Sequence, residues 1–194
     1  MRERKPAIFP IQEAMEVSGP LTLKPLVERA ANGDVEAFRS LFEQFGDRVY
    51  RYSYSRLGRP EDAQDATQEV FLGAWRGLAS FRYEHPGSFP GWLFAIARNV
   101  VAEHHRRAIR RPSVPLEEAK LDSVEFERRL VSRRMLTEEL ARLPETQREV
   151  LILRFVAGLR AREVAAALGK SEAAVMAMQV RGLEHLRRRI GRDT

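Results

Sequence analysis

The sequence predicts an all-α protein made of two small helical domains joined by an acidic flexible linker. Three observations lead there. Apolar residues recur at three- and four-residue steps over most of the chain, the spacing of helices that bury one face. No stretch alternates apolar and polar residues with period two over a useful length, so no sheet is expected. Between residues 112 and 130, two prolines and a run of acids break the helical pattern. The expected organisation is a tail over 1–20, a first domain over 21–111, a linker over 112–130 and a second domain over 131–194.

The opening stretch MRERKPAIFPIQEAMEVSGP carries charge at its front but no continuous apolar run and no small-residue cleavage site. It reads as a mobile tail of a cytoplasmic protein. Leu26 and Ala30, then Phe38, Leu41, Phe42 and Phe45, follow helical spacing. Asp34 in NGDVEAF suits an N-cap, where a carboxylate accepts from unpaired N–H groups. Val49, Tyr50, Tyr52 and Ser53 carry the pattern into a second helix, which Gly58 and Pro60 break. Glu61 or Asp62 opens the next helix and places negative charge at its N-terminus. Along it Ala63, Ala66, Val70, Phe71, Ala74 and Leu78 recur on one side. Phe81 to Gly91, FRYEHPGSFPG, reads as a loop from its Pro, Gly and Ser content. WLFAIARNVVAEHHRRAIRR is again strongly helical. Beyond the linker, four helical stretches follow, with Pro144 at a first helical position.

The chain has 194 residues, 44% hydrophobic and 31% charged, which makes it globular rather than disordered. Its net charge of +6 suggests a polyanionic partner. The charge is unevenly placed. Residues 28–75 sum to −3, 76–111 to +5, 112–127 to −4 and 133–194 to +5. A protein that merely coats DNA would be basic throughout, so the alternation suggests surfaces for different partners, with unevenly charged solvated faces as the plain alternative. With no cysteine, disulfides and thiolate metal sites are excluded. No run approaches the length of a membrane span. His104 and His105 are adjacent on a helix and point apart, so they cannot chelate as an i, i+4 pair would. No Gly-rich phosphate loop or nucleophile motif appears. No catalytic residue, metal, cofactor or small-molecule substrate is therefore expected.

The second domain has helix-turn-helix spacing in LRAREVAAALGKSEAAVMAMQVRGL. Val164, Ala165 and Leu168 form a short helix; Gly169 can take a positive φ; Val175 returns to the core. The second helix of such a unit enters the major groove, although a structural hairpin shares the bare pattern. In the first domain, Asp62, Asp65 and Glu69 fall at i, i+3 and i+7 and share a face, with Gln68 beside them. An acidic stripe costs helix stability through like-charge repulsion, which makes sense if a basic partner docks there; a solvated face is the simpler reading. Downstream, Trp75, Phe81, Tyr83, Phe89, Trp92 and Phe94 cluster near Arg76, Arg82 and Arg98. Rings interleaved with cations suit single-stranded nucleic acid. Phe71, Trp75, Trp92 and Phe94 are expected in the core.

Three stretches carry a resemblance: Asp65 to Phe71 as D-x-x-Q-E-x-F, Trp92 to Asn99 as W-L-x-x-I-A-R-N, and Leu143 to Arg154 as L-P-x-x-x-R-E-V-L-x-L-R. In this order and spacing, from about Leu23 to Ile190, the chain resembles a bacterial sigma factor of the sigma-70 family, in the small extracytoplasmic-function (ECF) group. The resemblance implies a region 2 bundle and a region 4 helix-turn-helix. It implies a protein that binds core RNA polymerase, recognises −10 and −35 promoter elements and promotes melting. By the same resemblance, Asp62, Asp65, Gln68 and Glu69 match the segment that docks on the polymerase clamp helices. The loop from Phe81 matches the segment that receives a flipped −10 base, with Arg82, Tyr83, Glu84, His85, Ser88 and Phe89 as candidates. Arg98 and Asn99 match −10 contacts, and His104, His105, Arg106 and Arg107 extend that helix with donors for phosphates. Arg160, Arg162, Lys170, Ser171, Glu172, Met176, Gln179 and Arg181 are the −35 candidates. The group is usually held by an anti-sigma factor, though no residue here reports one.

Three positions depart from the pattern. Glu103 stands where Asp is common, and Met176 and Met178 stand where Lys or Arg is common. The methionines are two residues apart and cannot share a face, so one faces DNA and the other packs inside. With so few polar groups, this helix is expected to read DNA shape more than base edges. A stand-alone helix-turn-helix regulator is the alternative function, but it leaves the acidic stripe, aromatic loop and acidic linker unexplained.

Overall fold

The computed structural model describes residues 20–110 and 138–190; the tail over 1–19 and the linker over 112–130 lie outside the described residues. Among the described residues every regular element is a helix. The first domain holds α1 (Pro20–Ala31), α2 (Val35–Leu57), α3 (Pro60–Leu78) and α4 (Ser88–Arg110). In the second, residues 138–141 are helical, followed by α5 (Glu145–Leu151), which runs on as a π-helical turn over Ile152–Val156. Then come α6 (Ala161–Leu168) and α7 (Glu172–Ile190).

The helix ends follow the local chemistry of the sequence. The Asp34 carboxylate accepts from the Ala37 N–H at 3.0 Å and so caps α2. One unbroken helix then covers both of the stretches read separately on either side of Gly46. Gly58, at φ 76°, closes it with its N–H on the Tyr54 carbonyl. Pro60 rather than an acid begins α3, since an N-terminal helical residue has no use for its missing N–H. Pro144 sits one position outside α5, as its N-cap. Glu163 reaches back to the Arg160 N–H at 2.8 Å at the start of α6. Gly169, at φ 61°, makes the turn into α7, and the Ser171 hydroxyl caps that helix on the Ala174 N–H at 3.2 Å.

Two ring placements differ from the sequence expectation. Trp75 is 38% exposed, in an edge-on pair with Phe38 whose ring centroids are 4.8 Å apart, because the core stripe of α3 passes through Ala74 and Leu78 instead. Phe89 is 1% exposed and meets the rings of Phe45, Phe81 and Trp92. It belongs to the first turn of α4, which starts at Ser88, so the loop is four residues shorter at its end than Phe81 to Gly91. Phe71 and Phe94 are buried as expected, and Trp92 is half-buried.

The two domains share one apolar core. Leu41, Phe45, Tyr52, Leu93 and Phe94 of the first pack continuously with Val150, Leu153, Leu159 and Val164 of the second. The tightest approach is α4 against α6. Gly91 makes it possible: a Cβ there would stand 2.4 Å from the Ala166 Cβ and 3.1 Å from the Glu163 carbonyl oxygen. A smaller cluster of Leu143, Leu151 and Leu186 ties α5 to α7.

Candidate protein and nucleic-acid interfaces

The outward face of α3 is the first candidate surface. Ala63, Ala66 and Val70 are fully buried, which turns Asp62, Asp65, Gln68 and Glu69 outward. Asp65 is exposed and forms no ion pair among the described residues. Asp62 lies 3.8 Å from Arg59. Glu69 reaches across to α4, with His104 Nε2 at 3.3 Å and Arg107 at 3.4 Å. The face continues into Leu72, 55% exposed, and Trp75. Sequence reasoning missed both as members of it. The signal was present, since 65, 68, 72 and 75 continue at helical steps. A shallow hollow lined by Phe42, Gly46, Tyr50, Gln64 and Gln68 borders the same face. Acid on one half and exposed apolar surface on the other suit a helical protein partner with a basic edge.

The loop over 79–87 and α4 form the second surface. Arg82, Glu84 and His85 are exposed at the loop's outer side. The turn holds itself: the Ser88 hydroxyl donates to the His85 carbonyl at 2.7 Å, and the Gly87 N–H donates to His85 Nδ1 at 3.2 Å. Tyr83 is half-buried and Phe89 is deep in the core, so Phe89 has no ring face to offer a base; it supports the loop from beneath. Asn99 is exposed, and Arg106 and Arg107 extend along the last turns. Glu103 accepts from Arg106 at 2.6 Å and from Arg107 at 3.2 Å, and the Arg106 hydrogen bond holds its carboxyl below the usual range.

Arg98 is placed differently from an open DNA reader. Its Nη1 donates to the Ala167 carbonyl of α6 at 2.9 Å, and its Nε lies 3.2 Å from Glu149 of α5. Glu149 is the hub of a seam between the domains. It accepts from the buried Tyr52 hydroxyl at 2.7 Å and faces Arg56 at 3.6 Å. Burial, and then the Glu149 charge, push the Tyr52 phenol well above its ordinary pKa, so it stays a donor. Arg56 also bonds Glu145 at 2.6 Å. Arg48 donates to the Ala157 and Gly158 carbonyls at 2.9 and 3.0 Å, meeting the carbonyl end of the π-helical turn with positive charge. Burial, then the charge of Arg56, lower the pKa of His105.

The seam is polar and imperfectly paired. Arg56 Nε, Arg148 Nε, Arg162 Nε and the Tyr83 hydroxyl are shielded from solvent without a hydrogen-bond partner among the described residues. Each such group costs about 1–3 kcal/mol. Glu149→Ala would add the Tyr52 hydroxyl to them and leave Arg98 with the Ala167 carbonyl but no carboxylate. Because Arg98 is 38% exposed, the expected loss of stability is about 2–4 kcal/mol rather than the full cost of a broken buried pair. It is read as a lower urea midpoint, and Glu149→Gln, which still accepts from Tyr52, should lose about half as much.

The third surface is α7 and its approaches. Arg160, Lys170, Ser171, Glu172, Met176 and Arg181 are exposed, and Arg162 is half-buried against Gly87. Met176 faces solvent at 44% exposure and Met178 packs inside at 9%. Gln179 turns back to accept from Arg154 Nε at 2.8 Å. No group of three or more His, Asp or Glu residues among those described is placed to hold a metal, and no described helix is long and apolar enough to cross a membrane.

The chain is similar to known proteins over most of its described residues. The family model described as Sigma-70 region 2 matches residues 41–111, and that described as Sigma-70, region 4 matches 133–186. The ECF RNA polymerase sigma factor BldN of Streptomyces coelicolor is 39% identical over 175 residues, covering 87% of this chain; the chain spans 66% of BldN's length. The ECF RNA polymerase sigma factor SigD of Mycobacterium tuberculosis is 35% identical over 190 residues, covering 89% of this chain and 88% of SigD. Among solved structures, CnrH in complex with the cytosolic domain of CnrY is 26% identical, with a TM-score of 0.68 over 88% of this chain and 98% of that one.

Proposed function

Since the chain belongs to the sigma-70 family of bacterial RNA polymerase sigma factors, in its ECF group, we propose that it binds core RNA polymerase, carries it to promoters with −10 and −35 elements, and promotes melting at the first of these. The observation that carries this reading is the coexistence, on one chain, of an outward acidic and apolar face on α3 with two separate basic surfaces. A stand-alone DNA-binding regulator has use for the helix-turn-helix but none for that face.

Each surface has a task. Asp62, Asp65, Gln68 and Glu69, extended by Leu72 and Trp75, dock on the polymerase. Arg82, Tyr83, Glu84, His85 and Ser88 receive an extruded base; unstacking one costs a few kcal/mol, which ring contact and hydrogen bonds offset. Asn99, His104, Arg106 and Arg107 follow the adjacent strand, and Arg98 joins them once α6 leaves α4 and frees it from Ala167 and Glu149. Arg160, Arg162, Lys170 and Arg181 hold phosphates around the −35 groove, where Ser171, Glu172 and Met176 meet the bases. The work is binding and strand separation rather than catalysis, and needs no cofactor. An anti-sigma factor is a further partner; CnrH, of the same fold, was solved with a protein domain bound.

Transcription in vitro tests the proposal. With core polymerase of Streptomyces coelicolor and sheared genomic DNA, the chain should give discrete transcript starts sharing two spaced elements. Core-dependent transcription with no specific start, or tight duplex binding without polymerase, would favour the regulator instead.

A further inference from the structure

The outward face of α7 is apolar where a groove-reading helix usually carries hydrogen-bonding side chains. Ala173, Met176, Ala177 and Val180 lie at helical steps and all are exposed, Met176 by 44% and Val180 by 50%. The opposite side, through Val175, Met178 and Gly182, is buried. Gln179, which could have read an adenine, is held by Arg154 at 2.8 Å. Charge borders this apolar stretch: Lys170 precedes the helix, Glu172 stands one turn before Met176, and Arg181 lies along it with Nε on the Ala177 carbonyl at 3.2 Å.

This distribution matches one surface. A duplex major groove has phosphates along both walls and base edges on its floor. The cations suit the walls. On the floor, the thymine C5 methyl is the apolar group that distinguishes one base from the others. We propose, resting on the −35 reading above, that Met176 and Val180 are specificity-determining residues that read thymine methyl groups in the −35 element. Side chains four apart on a helix stand about 5–6 Å from one another, and base pairs rise about 3.4 Å per step. The two methyls therefore lie within about two base-pair steps. The sequence expectation of shape readout is replaced by a direct contact of low polarity.

Thymine-to-uracil replacement removes the methyl and leaves every hydrogen-bonding group in place. At a promoter mapped by its transcript start, each −35 thymine on either strand is replaced in turn, and binding of the polymerase holoenzyme is measured. Burying one methyl corresponds to about fourfold in affinity. The wild-type holoenzyme should lose about that at two thymines, and Met176→Ala and Val180→Ala should each abolish the loss at one of them. Affinity unchanged at every replaced thymine overturns the proposal and leaves the face to a protein partner. So does a loss that persists undiminished in both variants. Absence of any specific start would instead strike at the proposed function itself.

Discussion

Asp65→Arg is expected to weaken binding to core RNA polymerase by about a hundredfold, or about 2.7 kcal/mol. The side chain stands alone on the outward face of α3, with no ion pair among the described residues to lose. Its replacement should therefore leave stability within about 0.5 kcal/mol. At the interface the same change places like charges together, which costs several kcal/mol. Adding Glu69→Arg should finish the binding but blurs the result, because Glu69 also bridges His104 and Arg107. Fluorescence titration of labelled chain with core enzyme, beside a thermal melt, separates the two effects. Wild-type affinity in Asp65→Arg would remove α3 from the polymerase contact.

Gly91→Leu should pull the two domains apart. The Ala166 Cβ stands 2.4 Å from where a Cβ at 91 would be, and the Glu163 carbonyl oxygen and Ala167 nitrogen stand at 3.1 and 3.3 Å. Backbone atoms cannot yield as a side-chain tip would, so α6 must leave α4. Within its own domain Gly91 is helical, where Leu is the better residue by about 1 kcal/mol. Helix content should be kept while the radius of gyration in solution scattering rises by several ångström. Arg98 then loses the Ala167 carbonyl and Glu149 and becomes free. Affinity for a single-stranded −10 oligonucleotide should rise at least about tenfold. The milder Gly91→Ala should be partly relieved by Ala166→Gly. An unchanged radius would show that the contact adapts.

The parts legible in the sequence were those set by neighbours along the chain. Asp34, Gly58 and Gly169 announce helix ends by their own chemistry, and the buried stripe of Ala63, Ala66 and Val70 follows from spacing. Ring placement was less legible. Trp75 and Phe89 are equally apolar on paper, and only packing decides that one lies at an edge and the other in the core. The methionines posed a choice that spacing alone framed and the fold of α7 against α5 decided. The seam was not legible at all. Tyr52 and Glu149 are 97 positions apart, and nothing local to either signals the other. The same holds for Gln179, read as a base contact until Arg154 is seen beside it.

The seam also sets a threshold. If promoter and polymerase engage the separated domains, each binds only the open fraction, and its apparent dissociation constant rises by the reciprocal of that fraction. By linkage, each partner that favours the open form then makes the next bind more tightly, although the two never touch. Polymerase, −10 strand and −35 duplex would act as a cooperative set through Gly91, Arg98 and Glu149. Any ligand that bridges α4 and α6 would counter all three at once. One contact within a single chain would then couple three different partners, and the closeness of two helices at one glycine would set how strongly.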